Sequence, residues 1–320
     1  MDAGPLPAAA QQGGGRQGIV LIELALPRLA PEARDCCGQL WRDARVLAWG
    51  EGIHLRAEYL DARNAVLSQL MQSGEPMVLA LETSFARSRL ADAYVLGDGP
   101  DDPDDEVIRS VWSWSARPLA KNAAMLRFVR AHNSTRAPRD RVRIYGLEMY
   151  AGAGVDPNSL QHRADRQHAR RLAALLTTHL TGGGDHRELA GRDGAQFVTL
   201  MEVFERHEGT RVLLFEQTGH LDRRVPGSLA AQLVAGGGVP VRTVGAFWSA
   251  EDPTVRFPLG DYELLSRWLD AHPERLLPVV EGGGLLDLAG AGTTGSPAVL
   301  REAASAFDAV LHVPRTTPIR

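Results

Sequence analysis

Apolar residues fall along the chain in short, nearly unbroken runs separated by longer stretches with helical spacing. The runs at 45–50, 77–82, 142–148, 211–216, 241–247 and 307–313 are dominated by Val, Leu, Ile and Phe, and most lack the strict apolar/polar alternation of a half-exposed strand. Strands covered on both faces read in this way. Between them, 55–72, 118–132, 163–180, 194–207, 260–271 and 299–305 repeat apolar positions every three to four residues and are expected to be helices. This alternation predicts an α/β fold with an open, largely parallel sheet and flanking helices. Gly/Asp/Pro-rich stretches at 97–105, 151–158 and 182–186 are expected loops, and 151–208 is expected to form a helical insert or lid. Residues 1–17, with alanine and glycine triplets and no periodicity, are expected to be a disordered tail, leaving 18–320 as a single domain.

Four of the runs end in glutamate, at Glu51, Glu82, Glu148 and Glu216. If these strands are parallel neighbours, their carboxyl ends share the sheet edge at which open α/β folds bind ligands. Glutamate is common where strands meet solvent, so a single instance says little; four together point to a crevice. Two of these strand ends are followed by a histidine: His54 lies three residues after Glu51, and His220 four after Glu216. An imidazole among carboxylates can act as acid or base near neutral pH. Arg63 sits in the apolar stripe formed by Tyr59, Leu60, Val66, Leu67, Leu70 and Met71. A guanidinium buried there requires a partner, for which Glu51 and Glu82 are the candidates; the alternative is that its long stem carries the charge to solvent.

The residues around these positions resemble the erythromycin esterase-like family. Trp49-Gly50-Glu51-Gly52-Ile53-His54 is similar to its Gly-Glu-x-x-His signature, and Leu81-Glu82-Thr83-Ser84-Phe85-Ala86 to its second strand end. Trp112-Ser113-Trp114 followed by Leu126-Arg127-Phe128-Val129-Arg130-Ala131-His132-Asn133 resembles its Trp-x-Trp and Arg-Ala-x-Asn stretch. Tyr145-Gly146-Leu147-Glu148-Met149, Arg192-Asp193, and Phe307-Asp308-Ala309-Val310 with Thr316-Thr317-Pro318 follow in order, so the resemblance runs from about Trp41 to the end of the sequence. It implies a metal-independent hydrolase in which His54 activates water and Glu51, Glu82 and Arg63 orient and tune it. The substrate class it implies is an ester or lactone of a polyketide or macrolide. Three positions depart from the pattern: Gln217 replaces a histidine of the Ala-His-Asn-x-His strand end, Glu148 stands where Asp is usual, and Leu55 where Gly is frequent. Glutamine can hydrogen-bond but cannot shuttle a proton at neutral pH.

The expected catalytic set is therefore His54, Glu51, Glu82, Arg63 and His220, with Glu148, Glu216, Gln217, Trp112, Trp114 and Arg192 on the substrate side. Arg63 or His220 would stabilise oxyanion charge or protonate the leaving group. No Gly-x-Ser-x-Gly elbow occurs, so no acyl-enzyme is expected. The same groups could instead abstract a substrate proton in a cyclase or dehydratase of natural-product biosynthesis. They also offer the N and O ligands of a metal-dependent hydrolase, or could line a non-catalytic binding site. Neither a metal nor a cofactor is expected. A formal net charge of -4 and a pI near 6.2 provide no field for gathering nucleic acid or anionic membrane, which leaves a small molecule as the expected partner. The two cysteines, Cys36 and Cys37, are adjacent and provide no disulfide framework; without a signal or spanning segment, a cytoplasmic setting is expected.

Overall fold

Each apolar run forms a strand in the computed structural model, which describes residues 26–112, 117–148, 158, 160–181, 189–236, 238–256, 259–280, 283–289 and 295–319. These strands are β1 (Val46–Glu51), β2 (Met77–Ser84), β3 (Arg143–Glu148), β4 (Arg211–Gln217), β5 (Val241–Trp248) and, last in the chain, β8 (Ala309–Val313). All six pair in parallel. Two further strands, β6 (Leu277–Val280) and β7 (Gly283–Asp287), add an antiparallel edge to give an eight-stranded sheet ordered β3-β2-β4-β1-β5-β8-β7-β6. These two have only four and five residues and contain Pro278, Gly283 and Gly284, so they lack the aliphatic run that marks a central strand.

The helices are α1 (Pro31–Arg42), α2 (Ala57–Met71), α3 (Phe85–Leu96), α4 (Asp105–Ser110), α5 (Ala120–Ser134), α6 (Arg163–Thr181), α7 (Leu189–Arg206), α8 (Thr218–Leu221), α9 (Leu229–Gly236), α10 (Glu263–Ala271) and α11 (Ala298–Ala306). Of these, α2, α5, α6, α7, α10 and α11 occupy the stretches with helical period. Helix α3 was not marked by any glycine or proline because it continues directly from β2; Ser84 closes the strand and accepts a hydrogen bond from the Arg87 amide as N-cap.

Alternate residues of β1 feed two cores on opposite faces of the sheet. Leu47 and Trp49 pack with α1, α2 and α5, whereas Val46 and Ala48 face the layer containing α7, α9 and α11. The segment expected as an insert contributes directly to this second core through Leu200, Val203 and Phe204 of α7. Residues 1–17, Trp114, the loop at 182–186 and nearly all of 151–158 lie outside the described residues. Among the described residues no helix is long and apolar enough to cross a membrane.

Candidate active site

The strand order puts the four glutamate-terminated strands side by side. Because β3, β2, β4 and β1 are consecutive parallel neighbours, Glu148, Glu82, Glu216 and Glu51 emerge along one edge of the sheet, and all four are buried. Glu51 is placed by the glycines that flank it. A Cβ on Gly50 would lie 2.6 Å from Thr218 Oγ1 and 2.8 Å from the Val244 carbonyl, and one on Gly52 would lie 2.6 Å from the Tyr59 hydroxyl and 2.8 Å from the Ala246 carbonyl. Only glycine permits β1 to pass this closely between α8, β5 and α2.

His54 follows in the loop between β1 and α2. Its Nδ1 is 3.1 Å from Glu51 Oε2, and its Nε2 is 3.8 Å from Glu82 Oε1. The Trp112 indole meets the imidazole edge-on, with centroids 5.4 Å apart. With Glu51 accepting from Nδ1–H, Nε2 is the basic nitrogen. Burial opposes the imidazolium, but the Glu51 hydrogen bond and the Glu82 and Glu51 charges outweigh it and raise the His54 pKa above 6.5. Burial also raises Glu51, against the pull of His54. One quarter of the His54 side chain is exposed. It opens onto a pocket of about 520 Å³ whose other walls include Ile53, Leu55, Arg56, Gln217, Trp248 and Ile319. Leu55 turns the loop with φ of 61°, a left-handed conformation that costs a non-glycine residue about 1–2 kcal/mol.

Deeper in the crevice, the charges converge on Arg192. Its Nε and Nη2 donate to Glu148 Oε1 at 2.8 and 2.5 Å, Nη2 also bonds Glu82, and Nη1 lies 3.0 Å from His220 Nε2. Gln196, one turn further along α7, donates to the same Glu148 oxygen at 2.7 Å. His220 Nδ1 is bonded to Asp193, whose other oxygen accepts the Leu229 amide at 2.8 Å. Arg192 can only donate, so His220 carries its proton on Nδ1 and its Nε2 accepts.

Burial would raise Glu82, but His54, a hydrogen bond from Glu216 and the Arg192 charge reverse this and hold its pKa below the usual carboxylate range. Glu216 moves the other way: burial, then the charge and hydrogen bond of Glu82, push it well above that range. The pair thus holds one proton, on Glu216, and Glu82 is the ionised member. Burial also raises Glu148. Glu82, Glu216 and His220 have ligand atoms within 4.8 Å of one another, a spacing that suits a cation, and the Arg192 guanidinium already brings positive charge to two of the three.

Arg63 is buried in α2 as its stripe position required, but its partners differ from those expected. Nη2 donates to Asn122 Oδ1 at 2.7 Å and Nε to Asn64 Oδ1 at 3.1 Å, with the Phe215 ring 5.9 Å away. No carboxylate of the described residues pairs with it, and burial lowers its pKa to about 10. It shares a cavity of about 10 Å³ with Glu51, Glu82, Tyr59, Trp112 and Glu216, and does not line the large pocket. His220 is likewise sealed, with both ring nitrogens engaged. Neither group can reach a substrate in the large pocket. Sequence reasoning missed Asp193, Gln196, Arg56 and Trp248 as site residues. Asp193 carried a signal in the Arg192-Asp193 pair, and Gln196 in its spacing of four from Arg192 on one helix face.

Residues 77–161 match the family model described as erythromycin esterase. No curated protein matches the chain. Among solved structures, a histidine-to-asparagine mutant of the erythromycin esterase EreC in its open conformation superposes with a TM-score of 0.61 at 12% identity, covering 92% of this chain and 96% of that one. A succinoglycan biosynthesis protein gives 0.62 at 12% identity, covering 92% and 95%. A Bacillus cereus protein gives 0.57 at 14%, covering 90% and 91%. At these identities the likeness is one of fold. The matched residues hold Glu82, Trp112 and Glu148; His54, Arg192 and His220 lie outside the match.

Proposed function

We propose that this erythromycin esterase-like chain is a small-molecule hydrolase in which His54 takes a proton from water as the water attacks an ester or lactone carbonyl. The observation that carries this reading is the position of His54 on the wall of the 520 Å³ pocket, with Nδ1 held by Glu51 and an ionised Glu82 behind the ring. A base oriented and charge-stabilised by carboxylates needs no nucleophilic side chain. In the forward step the water oxygen bonds to the carbonyl carbon while its proton passes to Nε2. The resulting imidazolium then protonates the leaving alkoxide as the C–O bond breaks. Gln217 lines the same pocket, and its side-chain amide is suited to donate to the developing oxyanion. Arg192 acts behind these groups, keeping Glu82 charged, while Asp193 and His220 hold the guanidinium in place.

The substrate class that fits a pocket with this largely aliphatic and aromatic lining is a polyketide- or macrolide-type ester or lactone. The test is turnover of a panel of macrolactones, followed by mass spectrometry in isotopically labelled water. The expected product gains one labelled water, and His54→Asn lowers kcat by about 10²- to 10⁴-fold while leaving the fold intact. Loss of water from the substrate would assign the site to dehydration or cyclisation. Unchanged turnover in His54→Asn would remove the histidine from the mechanism.

A further inference from the structure

Arg56 is a buried cation on the wall of the His54 pocket, and its partners are neutral. It is 9% exposed, immediately before α2, and its guanidinium donates to the Thr254 carbonyl at 2.9 Å and the Thr254 hydroxyl at 3.3 Å. No carboxylate of the described residues forms an ion pair with it. The nearby acids are committed elsewhere. Asp252 accepts the amides and hydroxyls of Thr254 and Thr316 at 2.7–2.9 Å, and Glu58 accepts the Thr317 amide at 2.8 Å. Burial opposes the Asp252 carboxylate, but the bonds from Thr254 and Thr316 together outweigh it and lower its pKa, and its oxygens face those threonines.

A guanidinium has five N–H donors in a planar fork, and Thr254 engages two of its nitrogens. Burying such a charge without a counter-ion is unfavourable, and the deficit is made good when an anion arrives. The pocket favours that arrival, since none of the described residues lining it is acidic. The rest of the wall, Ile53, Leu55, Trp248, Pro318 and Ile319, is apolar. Pro318 is bridged to the Arg56 backbone, and the Ile319 amide donates to the Leu55 carbonyl at 3.0 Å, so the apolar wall and the cation are fixed to each other.

We infer that Arg56 receives a carboxylate of the substrate, so that the ester or lactone hydrolysed at His54 is also an acid, with its hydrocarbon part against Ile53, Leu55 and Trp248. The inference deepens the hydrolase reading and rests on it for the word substrate. The binding test below is independent of turnover, so either can fail without the other.

Isothermal titration of the full chain at about pH 7.5 with octanoate and with octanamide compares one hydrocarbon with and without the charge. Octanoate is expected to bind about tenfold or more tightly than octanamide, the margin of one well-formed charge-assisted contact. Raising the salt from about 0.05 to about 0.5 M should weaken octanoate and leave octanamide unchanged. Arg56→Gln should abolish the preference, and Arg56→Lys should retain part of it while confirming, through its thermal midpoint, that the site stays folded. Equal affinities in the wild-type protein, a preference that survives Arg56→Gln, or no saturable binding of either compound would overturn the inference.

Discussion

Arg192 is the cation on which the inner carboxylates depend, and replacing it with methionine keeps much of the aliphatic stem while deleting the charge. The guanidinium is 13% exposed and bridges Glu82 and Glu148, whose side chains are almost wholly buried. Removing one partner of such a pair costs about 3–5 kcal/mol, because a buried charge is left uncompensated. The variant can escape part of that cost by binding protons, which makes the loss depend on pH. In the native chain the folded Glu82 pKa is depressed, so its contribution is present above the unfolded value and is lost as pH falls through the folded one. In Arg192→Met, burial acts on Glu82 and Glu148 without the cation and raises both. The folded variant then holds protons that the unfolded chain, titrating near ~4.3, has released, and its stability falls as pH rises from there toward neutrality. Urea unfolding followed by tryptophan fluorescence should therefore give a gap between wild type and variant of about 3–5 kcal/mol near neutral pH and about half that near pH ~5. A variant folded in acid but not at neutral pH would fit the same account. A gap below about 1 kcal/mol, or one that does not shrink in acid, would show that Arg192 is not the counter-charge of this cluster.

Glu51→Gln removes the negative charge beside the His54 Nδ1 proton while leaving an amide oxygen that can still accept it, so the imidazole pKa should fall from its raised position. A general base works only when neutral, so wild-type kcat/KM should drop as pH falls through a value above 6.5, and the variant should show that limb at lower pH with a reduced plateau; an unmoved limb would dissociate Glu51 from His54. At Leu55 the usual ranking of glycine below alanine should invert. Both substitutions remove the side chain that packs on the cluster of Leu60, Trp112 and Leu119, but only Leu55→Gly also relieves the φ of 61°. Thermal unfolding should find Leu55→Gly more stable than Leu55→Ala by about 1 kcal/mol, and the opposite order would mean that the loop relaxes at no cost.

The strand ends were legible because parallel strands covered on both faces are aliphatic along most of their length, so a glutamate closing such a run marks the last residues of the strand at the carboxyl edge of the sheet. Glu51, Glu82, Glu148 and Glu216 stand out for that reason, although nothing local says that β3, β2, β4 and β1 are neighbours. The core position of Arg63 was legible from helical periodicity, but its partners were not. An asparagine such as Asn122 has no pattern that distinguishes a buried acceptor from a surface amide. Arg192 was marked only by the resemblance of Arg192-Asp193 to a helix-opening pair, which says nothing of its partners. Its partners lie 44 and 110 residues away in sequence, and an arginine near the start of α7 reads as an ordinary exposed charge until the sheet order is known. His220 was marked by its spacing from Glu216, yet its surroundings depend on Asp193 and Arg192 engaging both ring nitrogens, which only tertiary structure supplies.

The two layers of the crevice are joined through Glu82. Its Oε1 faces His54 on one side and Arg192 on the other, and its Oε2 accepts the Gln217 amide at 3.1 Å, so a single carboxylate touches the base, the inner cation and the strand that ends in the pocket-lining glutamine. Burial alone would protonate such a group and withdraw its charge from the imidazole. Arg192 and the protonated Glu216 prevent that, at the expense of Glu216, which carries the proton instead. Arg192 acts on His54 in two opposed ways, since its own positive charge lowers the imidazole pKa while the anion it preserves raises it. The Glu82 carboxylate lies 3.8 Å from Nε2, and the net shift of His54 is upward. The inner cluster thus accounts for how a fully buried carboxylate stays ionised behind a solvent-facing base, with its protons and cations held by residues that the pocket itself does not reach.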